Sequence, residues 1–178
     1  MATCLSDLIT DHAPDFLDLQ ETMKKNISSK CLRKIDPFNI FEWVRIPSNG
    51  KSGGILAGAR KGILDIVHSN NGRYMIQLDL KDINKKSVWS VLVVYGPAHE
   101  DKREEFLSEL AQFCSTMNKP YILGGDFNIL RNGGEKNKKA HNHRSMDMFN
   151  SVINAFGLRR FFAVVASTPR PTINPIPL

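Results

Sequence analysis

The chain has 178 residues, of which 42% are hydrophobic and 24% charged, and carries a formal net charge of +6. Those values suit one ordinary globular domain with its own core and exclude a collagen-like or low-complexity chain. No apolar run approaches the roughly 20 residues of a membrane span, and the segment Met1 to Leu8 lacks the basic start and apolar stretch of a secretory signal.

In chain order, Leu5, Leu8 and Ile9 predict a short amphipathic helix that stops before Pro14. Asp15 to Glu21 alternates and reads as a strand, with Phe16 and Leu17 on opposite faces and Glu21 where the strand should end. A second helix is expected over Asn26 to Ile35, then strands over Phe41 to Ile46 and over the glycine-studded run Lys51 to Gly58, with a turn at Pro47 to Gly50 between them. Ile63 to His68, Arg73 to Leu80 and Val88 to Tyr95 continue as strands, with turns at Asn70 to Gly72 and Asp82 to Lys86. Val91 to Tyr95 is continuously apolar, which places it centrally in a sheet. Asp101 to Met117 is the clearest helix, with a stripe of Phe106, Leu110, Phe113 and Met117 joined by Leu107 and Cys114. Its acids Asp101, Glu104 and Glu105 fall in the first turns, where the dipole favours them. Tyr121 to Asn128 reads as a buried strand that ends abruptly. Ser145 is expected to cap a last helix that buries Met146, Phe149, Val152, Ile153 and Phe156 and closes at Gly157. Phe161 to Ala166 allows one more strand, and Pro169 to Leu178, with four prolines, reads as an extended tail. Cys4, Cys31 and Cys114 are odd in number and scattered, as expected of reduced thiols in an intracellular protein.

The chemistry concentrates at strand ends. In Gly124-Gly-Asp-Phe-Asn128 a carboxylate and an amide stand two residues apart, so alternation puts Asp126 and Asn128 on one side and Phe127 on the other. Two readings are open: the pair positions a water or a phosphate oxygen, or it satisfies the backbone of a turn. Glu21 and Tyr95 also follow apolar runs and precede turns. If the strands are neighbours, all four side chains converge on one rim, and that set suits Mg2+-dependent phosphodiester hydrolysis, since a hard cation takes carboxylate and water oxygens. Beyond the rim, Arg131 to Arg144 holds Arg131, Lys136, Lys138, Lys139 and Arg144 against the single acid Glu135. That run is read either as a loop that attracts a polyanion such as DNA or as a solvated loop that aids solubility.

Leu19-Gln-Glu-Thr22, Val94-Tyr-Gly-Pro97 and Gly124-Gly-Asp-Phe-Asn128, in this order, resemble three motifs of the endonuclease/exonuclease/phosphatase superfamily. The branch resembled most is the endonuclease domain of plant non-LTR (LINE-type) retrotransposons, on the strand beginning Ser52-Gly-Gly-Ile-Leu, the helix over Lys102 to Cys114 and the helix from Met146 into Gly157-Leu158. The resemblance covers about residues 5 to 160, leaving 161–178 as a divergent Pro-rich tail. It implies a four-layered α/β sandwich of the DNase I-like type that nicks DNA with Mg2+, or Mn2+ in its place. It also implies that Glu21 binds the metal, that Tyr95 contacts the phosphate or assists the leaving group, and that Asp126 orients or deprotonates the attacking water with Asn128 beside it at the phosphate. DNA is the expected partner, with no membrane, and the nucleus is the expected place if the substrate is chromosomal.

The chain departs from that family at both ends. No Asn precedes Asn26, where the family has a first strand with a metal-holding Asn, and no Ser-Asp-His motif closes the sequence: no acid follows Asp147 and the last histidine is His143. His141 and His143 lie in a polar loop, a poor place to preorganise a catalytic group. The expectation is therefore a domain truncated at both ends and impaired as a nuclease. Two other readings stay open, a non-catalytic nucleic-acid-binding fragment and a phosphomonoesterase of the same superfamily.

Overall fold

A computed structural model describes residues 2–48, 53–131 and 143–161. Along the chain run α1 (Ala2–His12), β1 (Phe16–Gln20), α2 (Ser29–Ile35), β2 (Phe41–Ile46), β3 (Ile55–Arg60), β4 (Leu64–Asn71), β5 (Met75–Asp82), β6 (Val88–Tyr95), α3 (Arg103–Thr116), β7 (Tyr121–Asp126) and α4 (His143–Ala155). They form two sheets, β1-β3-β2 and β4-β5-β6-β7, antiparallel throughout except for the parallel β6/β7 pair.

Strand alternation sorts the apolar residues into three cores. Between the sheets, Ile55, Ala57 and Ala59 of β3 meet Ile76, Leu78 and Leu80 of β5 and Val91 and Val93 of β6. The opposite parity of β5 and β6 presents Met75, Leu92 and Val94 to Phe106, Leu107, Leu110, Phe113 and Cys114 of α3 and Phe149 of α4. On the outer face of the smaller sheet, Leu17, Phe41 and Trp43 pack with Leu5 and Ile9 of α1 and Ile35 of α2. The order is helices, sheet, sheet, helices: the expected four-layered α/β sandwich. Each fully buried Leu, Ile or Phe contributes about 1.5–3 kcal/mol of transfer free energy.

Several elements differ from expectation for local reasons. β4 runs through Asn71, with a register shift between Ile66 and His68, so the turn to β5 is displaced from Asn70–Gly72 to residues 72–74 and β5 begins only at Met75. The expected helix from Asp101 opens as a 3-10 turn over Glu100–Lys102 before α3. Ser145 is not a cap: α4 already includes His143, and Ser145 lies buried within it. Gly157, at φ +61°, does close that helix, with the Leu158 N–H donating to the Ile153 carbonyl. β7 is not a buried strand, because among the described residues it pairs only with β6 and leaves Ile122 49% exposed. Cys31 and Cys114 are free thiols, and no described helix is long and apolar enough to cross a membrane. The second half of the Pro47 to Gly50 turn, the start of the Lys51 to Gly58 run and residues 162–178 of the expected tail lie outside the described residues.

At the end of β6 away from Tyr95, Asp79 is almost fully buried and accepts from Ser90 Oγ (2.7 Å), Gln77 Nε2 (3.0 Å) and Lys119 Nζ (2.7 Å). Burial alone would raise this carboxyl, but the bonds from Lys119, Ser90 and Gln77 outweigh it and hold the group below its ordinary value. The stability it supplies is present above the ordinary carboxylate range and is lost as pH falls through that lowered value. Lys119→Met, which strands the carboxylate, is expected to cost about 2–3 kcal/mol at neutral pH. Urea unfolding at neutral and acid pH checks this: the deficit should shrink in acid, and an equal deficit at both would contradict the assignment.

Candidate active site at the sheet rim

β6 and β7 run parallel in register, so Tyr95 pairs with Asp126 at their C-terminal ends. Glu21 belongs to the other sheet. It follows β1 directly in a left-handed conformation (φ +52°), which turns its side chain back over the rim, where Oε1 accepts the Tyr95 hydroxyl at 2.9 Å. The next residues are pinned by their backbone, with Thr22 N–H donating to Gly54 O and Met23 N–H to Gly53 O. Asn128 is also left-handed (φ +50°), a conformation Asn tolerates. Its N–H donates to Asp126 Oδ1 at 2.9 Å and its Nδ2 to Gly96 O at 2.8 Å. Asp126 and Asn128 are therefore joined by a turn just past the strand rather than by strand alternation. Phe127 points away as expected and stacks on Phe149.

One residue that the sequence places within a motif but gives no task holds this rim together. Gln20 Nε2 donates to Val94 O (3.0 Å) and Asp18 Oδ2 (2.8 Å), while Gln20 Oε1 accepts from Asp126 N–H (3.0 Å). The amide thus ties β1 to both β6 and β7. The approach requires glycine at position 125, at φ +130°, where a Cβ would stand 2.0 Å from Val94 O and 2.3 Å from Gln20 Nε2. Gly96 is equally constrained, by the Phe127 carbonyl 2.1 Å from where a Cβ would stand. The available signal was the parity of two polar residues, Asp18 and Gln20, on the face of β1 that also carries Phe16 into the inter-sheet core.

The electrostatics set the protonation of Tyr95. Burial, the hydrogen bond to Glu21 and the charges of Glu21 and Asp126 push the Tyr95 phenol up to about 12. At neutral pH it is a proton donor to a neighbouring oxygen and not a base. Glu21 is an exposed carboxylate with one oxygen engaged by Tyr95. Among the described residues no group of three or more His, Cys, Asp or Glu side chains could hold a metal ion. The exposed Glu21 carboxylate is the kind of oxygen ligand a hard cation could take, with water completing its shell.

The four expected rim residues Glu21, Tyr95, Asp126 and Asn128 stand together. Of the expected basic loop, Arg131 Nε donates to Asn150 Oδ1 (3.2 Å) and Arg144 pairs with Glu104 (3.2 Å), which ties both to the helical layer. Lys136, Lys138 and Lys139 lie outside the described residues.

Asp18 sits partly buried beneath Gln20, its Oδ1 without a partner among the described residues, and burial raises it to about 6 against the lowering effect of the Gln20 bond. An unfolded Asp titrates near 3.8, so between these values the folded chain keeps a proton that the unfolded chain has released. Stability from this group therefore falls as pH rises through that window and stays low above it. Asp18→Asn keeps an acceptor for Gln20 without the charge, so it should raise the melting temperature above the window and change it little below. Thermal unfolding on both sides of the window measures this; a melting temperature lowered above it would contradict the account.

No protein-family model matches the chain, and no curated protein matches it. In fold it is similar to the AP endonuclease LMAP from Leishmania major (TM-score 0.66, 12% identity, 87% of this chain and 61% of that one). It is also similar to an AP endonuclease from Archaeoglobus fulgidus (0.64, 14% identity, 86% and 65%) and to the endonuclease/exonuclease/phosphatase from Bacteroides vulgatus (0.59, 12% identity, 84% and 62%). The chain spans less than two thirds of the length of each. At these identities the likeness is one of fold: a mixed α/β chain with two sheets, built like the DNase I-like endonucleases.

Proposed function

We propose that the rim is a Mg2+-dependent phosphodiesterase site that takes DNA, of the kind expected of a non-LTR retrotransposon endonuclease domain, and that this chain by itself cleaves slowly or not at all. The observation that carries the reading is the hydrogen-bonded set Glu21–Tyr95 and Asp126–Asn128, drawn from two sheets onto one rim. The fold likeness to two AP endonucleases supports it.

Mg2+ held at Glu21, with Mn2+ as a substitute, would place positive charge at the non-bridging phosphate oxygens. The chain's own groups do the remaining work. Asp126 keeps Oδ2 outside its turn bond, where it can orient a water and accept its proton. Tyr95, protonated at neutral pH, offers its hydrogen to a phosphate or leaving oxygen once it releases Glu21. Asn128 has a second amide hydrogen beyond the one given to Gly96 O.

Stabilising the pentacovalent transition state calls for further donors beside Tyr95 and Asn128. Among the described residues no histidine joins the bonds of Glu21, Tyr95, Asp126 and Asn128. Lacking one such preorganised donor costs about 10²–10³ in rate. Supercoiled-plasmid nicking with Mg2+, with EDTA and with Asp126→Ala tests the reading. Nicking close to background is expected, with any residue of it lost in EDTA and in the variant. Fast nicking that needs both metal and Asp126 would remove the impairment and keep the site; nicking that survives EDTA or Asp126→Ala would remove the site.

A further inference from the structure

We infer that Lys24, Lys25 and Arg45, with Lys30, Arg33 and Lys34 of α2, form a docking track for the phosphate backbone of duplex DNA that leads onto the rim from the smaller sheet. The inference rests on the rim's reading as a phosphodiester site and adds where the flank of the substrate lies, on a surface the sequence left aside in favour of the run after Arg131.

Three observations carry it. Residues 21–34 hold five cations against one acid, Glu21, and all five are exposed, as is Arg45. Among the described residues none of these six forms an ion pair, whereas Arg73, Lys85, Arg103, Lys119 and Arg144 each pair with an acid. Asp7 and Asp11, on the α1 helix that packs against α2, pair with none of them either. A surface of uncompensated cations is one whose counterions a polyanion displaces.

The second observation is placement. Lys24 O accepts Ser48 N–H at 3.2 Å, which fixes the segment beside the end of β2, and Lys24 and Lys25 lie three and four residues from Glu21, within about 14 Å of chain. Arg45 Nη1 donates to Ile27 O (3.3 Å) and covers the turn into α2, which Ser28 caps. From there α2 runs away from the rim to Asp36, whose carboxylate accepts the N–H groups of Ile40 and Phe41 at the far end of β2. The third is periodicity: Lys30, Arg33 and Lys34 are spaced i, i+3, i+4 and share one face of α2. The track therefore starts beside Glu21 and continues down the flank for about 10 Å of helix. Along residues 21–34 the exposed large apolar side chain is Met23 alone, with Phe38 exposed just past α2, so charge and not apolar area dominates the track.

Fluorescence anisotropy of a labelled DNA duplex, in EDTA so that cleavage plays no part, tests this across a salt series. Wild-type binding should weaken steeply with salt. Lys24→Gln/Lys25→Gln should lower affinity about tenfold at about 0.1 M salt and flatten the log–log salt slope by about 2. Lys30→Gln/Arg33→Gln/Lys34→Gln should flatten it further, and Lys85→Gln/Lys86→Gln, in the turn at the far end of β6, should change neither. Melting temperatures of all variants confirm folding. Binding that is unchanged in the track variants but lost on replacing Lys136, Lys138 and Lys139 would overturn the track and leave the DNA reading standing. No duplex binding by folded wild-type protein, or binding to anionic phosphatidylserine vesicles instead, would overturn both.

Discussion

The side-chain amide of Gln20 joins two sheets whose shared surface is otherwise largely apolar, and it does so at the rim that carries Glu21, Tyr95, Asp126 and Asn128. Apolar packing between sheets is strong but weakly directional; it would let β1 slide relative to β6 and β7 by fractions of an ångström at small cost. Hydrogen bonds from one amide to Val94 O and from Asp126 N–H remove that freedom, because a slip would leave a partly buried donor and acceptor unpaired. Glu21 and Asp126 come from different sheets, so their relation depends on this tie. The absence of a side chain at Gly125 is the other half of the arrangement, since no Cβ fits between Val94 O and the amide.

The rim stores some strain. Glu21 and Asn128 both adopt left-handed backbone conformations, each costing about 1–3 kcal/mol for a residue other than glycine. Those costs are offset by the backbone bonds of Thr22 and Met23 to Gly54 and Gly53 and by the side-chain bonds of Asn128. The result is two hydrogen-bonded pairs on one rim, Glu21 with Tyr95 and Asp126 with Asn128, with Tyr95 kept protonated by burial and by its two acidic neighbours. Preorganisation of this kind is what phosphoryl chemistry asks of a protein, because orientation and charge supply most of the catalysis there.

Much of the architecture was legible because periodicity and punctuation agreed. β2 and β6 fall on their expected boundaries, the stripe of α3 is buried from Phe106 to Cys114 while Met117 is a half-buried residue just past its end, and Gly157 ends α4 as a left-handed cap should. The failures have specific causes. Tyr121 to Leu123 looks buried by composition, but burial depends on what covers a strand, and sequence does not report a half-open edge such as that of β7. Ser145 had the chemistry of a cap and is instead a small polar residue inside a helix that begins earlier. At the rim, Glu21, Tyr95, Asp126 and Asn128 were readable from strand ends. Gln20 and Asp18 were not given a task, because their role exists only when two distant strands meet. The basic residues near Glu21 were passed over because they are spread along a loop, a helix and a strand, while those after Arg131 lie in one run.

The account stands or falls on whether Gln20 holds the rim, and the amide hydrogen exchange of Asp126 reports this most directly. In the wild type the Asp126 N–H donates to Gln20 Oε1 and should be protected. In Gln20→Ala its exchange should quicken by about tenfold or more, as a local opening, while amides in the β5/β6 ladder keep their rates. Unchanged protection at Asp126 in the variant would contradict the account, and would mean that packing alone sets the relation of Glu21 to Asp126.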